Sequence, residues 1–259
     1  MKNILILFLL FFTTNSFASK PPITLKWNSK EGLERLSNSQ YKNYFYQLAD
    51  HFQPQINPLY CGIASSVILL NTINENTEIA SQKDLEVIKP KVWGGGNVSF
   101  NSYSQATFLN DKTDKIKDRK TINLQNITIE NENDVRNFDP GLTLKQLSEV
   151  LKTYQLKTKI NYVEVVDQKS LEKFRKSLKK ILADDRQFLL ANFNGKALEL
   201  KTNGHISPIA AFDDASDTVL ILDVAGHKNG WYWAKVTDLM NAMNTTDGDS
   251  YRGYLVISK

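Results

Sequence analysis

Residues 58–71 hold the most apolar run of the chain outside its first residues: Cys61-Gly62-Ile63-Ala64-Ser65-Ser66-Val67-Ile68-Leu69-Leu70-Asn71, apolar or small at almost every position. A helix without a polar face belongs inside a core, and Cys61 would stand at its N-terminus. A second helix is expected from Thr143, where Thr143-x-x-Gln146 has the capping-box pattern and Leu144, Leu147, Leu151 and Tyr154 recur on one face. A third begins at about Ser170, with Leu171, Phe174, Leu178 and Ile181 at helical spacing. Residues 159–166, 188–193, 206–212, 219–224 and 253–258 are short β-branched or aromatic-rich runs and read as strands. Helices early and strands late imply an α+β domain, its helical part carrying Cys61 and packing against an antiparallel sheet. Residues 75–137 are polar and poorly periodic, and Gly94-Gly95-Gly96 reads as a turn, because no Lys-Ser/Thr follows to make a phosphate loop.

The start of the chain departs from this pattern. Lys2 is followed by uninterrupted apolar residues at 4–12 and by the small residues of Ser16-Phe17-Ala18. That is the layout of a signal peptide over 1–18, and the run is far short of the roughly 20 apolar residues that span a bilayer. Export to the periplasm or beyond the cell follows, with no stable membrane insertion after cleavage. Residues 19–259 contain no repeat or linker and form one domain, in keeping with 41% hydrophobic and 23% charged residues in a chain of 259. The formal charge of +4 is spread among acidic neighbours, as in 111–120, which excludes a nucleic-acid stripe.

Cys61 is the single cysteine, so an exported chain gains no internal disulfide from it. It is either a small buried hydrophobe or a nucleophile, and its neighbours must decide. Asp213-Asp214-Ala215-Ser216 is a turn cluster between apolar runs, hence a hairpin. With its centre near residue 214, His205 and Asp223 become cross-strand partners, with Cβ atoms about 5 Å apart. Ser207, Ile209 and Ala211 share the face of His205, opposite Ile221 and Val219. Asp223 interrupts the apolar Val219-Leu220-Ile221-Leu222-Asp223-Val224 run, and a buried carboxylate requires a partner. Taken singly, His205 reads as structural, and Asp223 is either an exposed strand end or a buried, partnered carboxylate. Together with a cysteine at a helix start they make a nucleophile, a proton carrier and its orienting carboxylate. Gln55, six residues before Cys61, is the candidate oxyanion donor, with Gln53 competing on chemistry alone. His51 and His227 show no paired-ligand spacing, and no metal site is expected.

Three stretches carry a family resemblance: Gln55-x-Asn57-x-x-Tyr60-Cys61-Gly62-x-Ala64-Ser65, Asn203-Gly204-His205-Ile206-Ser207-Pro208-Ile209-Ala210-Ala211-Phe212-Asp213, and Val219-Leu220-Ile221-Leu222-Asp223-Val224-Ala225. With Gly141-Leu142-Thr143-Leu144 and Arg252-Gly253-Tyr254, they resemble the catalytic domain of the phytochelatin synthase family. The resemblance implies a papain-like fold that cleaves the Cys–Gly bond of glutathione and holds γ-glutamylcysteine on Cys61 as a thioester. Water then releases the dipeptide, or a second glutathione takes it to give phytochelatin. Because the chain ends soon after that domain, without a cysteine-rich extension, hydrolysis is the expected course. Arg252 is either the partner of the glutamyl carboxylate, which its fork suits, or a surface arginine at a strand start, and the resemblance places Asn192 and Gly204 beside the substrate. No cofactor is required, and cadmium or zinc thiolates of glutathione are possible substrates. The oligomeric state stays open, a homodimer included. The competing readings are a papain-like or leader-peptide cysteine peptidase and a non-enzymatic thiol- or metal-binding protein.

Overall fold

The computed structural model describes residues 22–75, 85–88, 98–123, 141–184 and 186–259. The signal peptide expected at 1–18 and the Gly94-Gly95-Gly96 turn lie outside them. Elements follow in the order β1 (Thr24–Lys26), α1 (Lys30–Asn38), α2 (Phe45–Asp50), α3 (Cys61–Ile73), β2 (Leu85–Ile88), β3 (Val98–Tyr103), α4 (Arg119–Ile122), α5 (Leu144–Thr153), β4 (Lys157–Tyr162), α6 (Gln168–Leu182), β5 (Gln187–Asn194), β6 (Gly204–Asp213), β7 (Thr218–Ile221), β8 (Tyr232–Lys235), α7 (Val236–Met243), β9 (Thr246–Asp247), β10 (Ser250–Tyr251) and β11 (Gly253–Ser258). No helix among the described residues is long and apolar enough to cross a membrane.

The expected α+β class is present. A seven-stranded antiparallel sheet runs in the order β1-β8-β7-β6-β5-β11-β4. Helices cover both of its faces, not one, because the central strands are apolar on both. Phe188 and Leu190 of β5 join the cluster that holds α2, α3 and α5, while Leu189, Ala191 and Phe193 join the one that holds α6 and α7. The α3 helix is buried along nearly its whole length, as its all-round apolar sequence requires.

Helix starts follow their caps. Thr143 Oγ1 accepts from Gln146 N at 3.2 Å, and Gln146 Oε1 accepts from Thr143 N at 3.0 Å, completing the expected capping box. The next helix begins two residues before the expected Ser170, because Asp167 is its cap and Ser170 only answers it. The strand expected over 159–166 lies at Lys157–Tyr162 instead.

The β6–β7 register also differs from expectation. The hairpin pairs Asp213 with Thr218 and Phe212 with Val219, which centres it beyond residue 214, and a bulge then changes the pairing to Ile209 with Ile221. Ala210 is the extra residue, and Ala210 and Ala211 both join the α3-side cluster, as the two residues of a bulge do when they oppose one. His205 is not the ladder partner of Asp223.

Candidate active site

Cys61 is the first residue of α3, where unpaired backbone N–H groups favour negative charge. The helix is tied to β6 by Ser65 Oγ, which donates to Ile206 O at 3.0 Å, so the residue after His205 fixes the height of Cys61. At Gly62 a side chain would meet Ile206 Cδ1 at 3.4 Å, which marks how closely helix and strand approach.

His205 is 3% exposed, and its Nε2 lies 2.7 Å from Asp223 Oδ1. Its ring stands edge-on to Phe193 at 5.6 Å. Burial pulls the His205 pKa down, but hydrogen bonding and charge from Asp223 and Cys61 outweigh it and raise the value to about 9. The raised value favours the protonated ring, set between the Cys61 sulfur and the Asp223 carboxylate. With Nε2 given to Asp223, Nδ1 is the nitrogen that can serve Cys61.

Asp223 is fully buried. Its Oδ1 also accepts from Ala225 N at 2.7 Å, and its Oδ2 accepts from Asn229 Nδ2 at 3.0 Å. Burial alone would raise its pKa, yet the His205 hydrogen bond and charge, then Asn229 and the Ala225 N–H, hold it below the usual carboxylate value. Ser207 Oγ lies 3.1 Å from His205 Nε2 and accepts from Val224 N at 3.3 Å. The Tyr232 hydroxyl is buried beside Asp223, and burial first, then the charge and hydrogen bonding of Asp223, push its pKa well up.

A cleft of about 640 Å³ opens over this group, and Gln55, Cys61, Asn192, Gly204, His205 and Arg252 all border it. Of the seven residues singled out in the sequence, only Asp223 lies behind the wall. In the same cleft, β5, β9 and the junction between β10 and β11 bring together Asn192, Asp247 and Arg252. Asn192 Nδ2 donates to Asp247 Oδ2 at 2.7 Å, and Arg252 Nη2 lies 3.4 Å from Asp247 Oδ1. Arg252 also donates to Thr246 O and Thr245 Oγ1, while its Nε is buried without a partner. Gly204 makes room for this guanidinium, since a Cβ there would meet Arg252 Nη2 at 2.7 Å.

Gln55 stands at the rim with its amide turned to its own loop. Nε2 donates to Asn57 O and Pro58 O, each at 2.9 Å, and Oε1 is buried without a partner. Both N–H groups are thus engaged, and an oxyanion role requires the side chain to turn. Gln53 does not border the cleft.

Asp247, Asn229 and Lys228 of this neighbourhood are not marked by the sequence, and Ser207, which it places on the face of His205, gains its contact to the ring only in the structure. Asn229 was visible only as half of an Asn229-Gly230 turn signal, with Gly230 at φ +68°, and Asp247 only as part of a polar turn. His227 is exposed in a neighbouring groove. Sequence spacing pairs His51 with no ligand, but folding brings the donor atoms of Asp50, His51 and Glu75 within 4.8 Å of one another, a group that does not include Cys61.

A thiol at a helix start, an imidazolium in reach of it and a buried carboxylate holding the ring are the parts of an acyl-transfer site. The family model described as phytochelatin synthase matches residues 18–254. Glutathione gamma-glutamylcysteinyltransferase 1 of Lotus japonicus is 26% identical over 88% of this chain and 38% of its own length. The glutathione gamma-glutamylcysteinyltransferase of Schizosaccharomyces pombe is 26% identical over 87% of this chain and 45% of its own. Glutathione gamma-glutamylcysteinyltransferase 2 of Arabidopsis thaliana is 22% identical, over 93% and 46%. The chain spans less than half the length of these curated relatives.

Proposed function

We propose, for a chain that belongs to the phytochelatin synthase family, that it is a papain-like cysteine enzyme which breaks the Cys–Gly bond of glutathione. The Cys61 thiolate attacks the carbonyl carbon of that bond. As the tetrahedral intermediate collapses, the His205 imidazolium gives its proton to the departing glycine nitrogen, leaving γ-glutamylcysteine on Cys61 as a thioester. Asp223 holds the ring and balances its charge throughout. Neutral His205 then takes a proton from the second nucleophile. Water gives γ-glutamylcysteine, the favoured course, and the amine of another glutathione gives a phytochelatin.

The observation that carries this reading is that one cleft holds both the Cys61–His205 nucleophile and the charged Arg252–Asp247–Asn192 group. The γ-glutamyl end of glutathione is a zwitterionic amino acid. Its α-carboxylate suits the Arg252 fork and its α-ammonium suits Asp247, with Asn192 fixing the carboxylate of Asp247. A general peptidase has no need of both charges buried at that end. Cadmium and zinc enter as glutathione thiolates, that is, as substrates. The reading further takes residues 1–18 as a signal peptide, so that this chemistry runs outside the cytoplasm.

The test is an intact-mass measurement after mixing with glutathione. A γ-glutamylcysteinyl adduct is expected on the unaltered chain, with release of glycine, and none on Cys61→Ser. An adduct that persists in that variant, or cleavage of leader peptides in preference to glutathione, overturns the proposal.

A further inference from the structure

The Cys61–His205–Asp223 group rests on a fourth side chain from the loop before β8. Asn229 Nδ2 donates to Asp223 Oδ2 at 3.0 Å and approaches Thr202 Oγ1 at 3.4 Å, while Asn229 Oδ1 accepts from Lys201 N at 3.1 Å. These contacts allow one orientation of the amide. Turned over, it would set its oxygen against the Asp223 carboxylate and its NH2 against the Lys201 N–H. The two oxygens of Asp223 are also unequally served. Oδ1 has the His205 ring and the Ala225 N–H, whereas Asn229 is the hydrogen-bond donor found on Oδ2. Thr202 and Asn203, beside the strand that carries His205, border the cleft, so the same amide joins the cleft wall to the buried carboxylate.

Resting on the reading of Cys61, His205 and Asp223 as a triad, we propose that Asn229 is a positioning residue which keeps Asp223 ionised and aligned with the His205 ring. A carboxylate at zero exposure that loses the donor on one oxygen either turns away from the ring or takes up a proton. Either outcome removes the anion that makes His205 an imidazolium. The groups facing Asp223 are His205 from β6, Tyr232 from β8 and Asn229, with Cys61 beyond the ring. Lys26, Glu199, Lys201, Lys228 and Tyr232 border the groove in which Asn229 stands. Of all these, Asn229 is the one that touches Asp223 and cannot itself titrate. Replacing it with Asp therefore gives a diagnostic change at constant shape.

The readout is the rate at which iodoacetamide alkylates Cys61, the single cysteine of the sequence, as a function of pH; the thiolate displaces iodide and forms the thioether. Glycine release from glutathione is followed in parallel. Asn229→Ala should slow both by about tenfold, with KM for glutathione within about twofold and the acid limb of both profiles moved to higher pH. Asn229→Asp should resemble the unaltered chain at acid pH, where one proton is shared between residues 223 and 229 and the acid O–H donates as the amide did. It should then fail at higher pH, where that proton leaves and the two adjoining carboxylates, both ionised, repel and drive Asp223 from its place against the ring. Thermal unfolding of each variant reports its fold. Profiles of unchanged shape in both folded variants would overturn the proposal, as would a loss fully accounted for by unfolded protein. Altered alkylation profiles in a chain that releases no glycine from glutathione would keep Asn229 in this role and remove the substrate assignment instead.

Discussion

His205 Nε2 and Asp223 Oδ1 lie 2.7 Å apart on neighbouring strands whose ladder does not pair them. Near the turn, β6 and β7 run in a register that, continued unbroken, would place these two side chains on opposite faces of the sheet. The bulge at Ala210 shifts the pairing by one residue and returns them to the same face. Beyond it the strands part, and Leu222 N still donates to Pro208 O at 3.0 Å. His205 and Asp223 thus meet as diagonal neighbours through side chains long enough to close the gap.

The roles on the two sides of that contact are separable by substitution. His205→Ala is expected to abolish glycine release, and His227→Ala, at an exposed position of the adjoining groove, to leave most of it. Asp223→Asn should keep the fold and slow acylation by about 100-fold or more, because a carboxamide neither balances the imidazolium nor dictates its tautomer. Equal losses in the two histidine variants, both folded, would show that the base has been misassigned.

The same contact makes stability depend on pH. The folded-state pKa of His205, about 9, lies above its ordinary value of 6.5. Its contribution is therefore complete below pH ~6.5 and disappears as pH rises through about 9. The melting temperature should fall across that window, and His205→Gln should flatten the fall. Cys61→Ser should move it to lower pH, since Cys61 is one of the groups that raise the value. Asp223 has the opposite sign: its lowered pKa stabilises the fold above the usual carboxylate value, and this is lost as pH falls through the folded-state value. Thermal melts from pH 3 to pH 10 follow both limbs.

The parts of this site readable in sequence are those set by local chemistry. An apolar run with a cysteine at its start is a buried helix on any register, and Thr143 caps its helix through residues three apart. An aspartate inside an apolar strand announces a buried partner wherever the strand lies. What could not be read depends on contacts between distant segments. The bulge at Ala210 leaves no mark in an Ala-Ala pair, and α6 starts two residues before Ser170 because Asp167 caps it. Asp247 gains its meaning only when β9 lies beside Asn192 of β5, 55 residues earlier. His205 and Asp223 meet as the hairpin pattern leads one to expect, but in a different register. Two departures cancel: the hairpin centre lies beyond residue 214, and the bulge restores the parity.

In the same cleft, beside Gly204, Arg252 is expected to act on binding more than on chemistry. Arg252→Lys keeps the charge but loses the fork, and Asp247→Asn keeps the shape but loses the charge. Each should raise KM for glutathione by about tenfold, with kcat less affected. Both should also cost about 1–3 kcal/mol of stability, since each leaves a buried group short of its partner. Chemical denaturation measures the second effect and steady-state kinetics the first. A fall in kcat alone would place these residues at the reacting carbonyl rather than at the glutamyl head.

The fate of the thioester should follow from competition at Cys61. Water is always present, whereas the acceptor amine must come from a second glutathione, so the phytochelatin fraction should rise with glutathione concentration from a low starting value. Soft metals act on this ratio through thiolates. Cys61 is the single cysteine of the sequence, and once acylated it offers none, so cadmium must meet the thiolates of glutathione itself. The Asp50, His51 and Glu75 group supplies an imidazole and two carboxylates and does not include Cys61. Three measurements follow by chromatography of the products. Cadmium should increase transfer with glutathione, the increase should survive His51→Ala, and S-methylglutathione, which has no thiolate, should be used as acceptor equally well with and without the metal. A cadmium effect that persists with the methylated acceptor, and vanishes in His51→Ala, would place the metal on the protein instead.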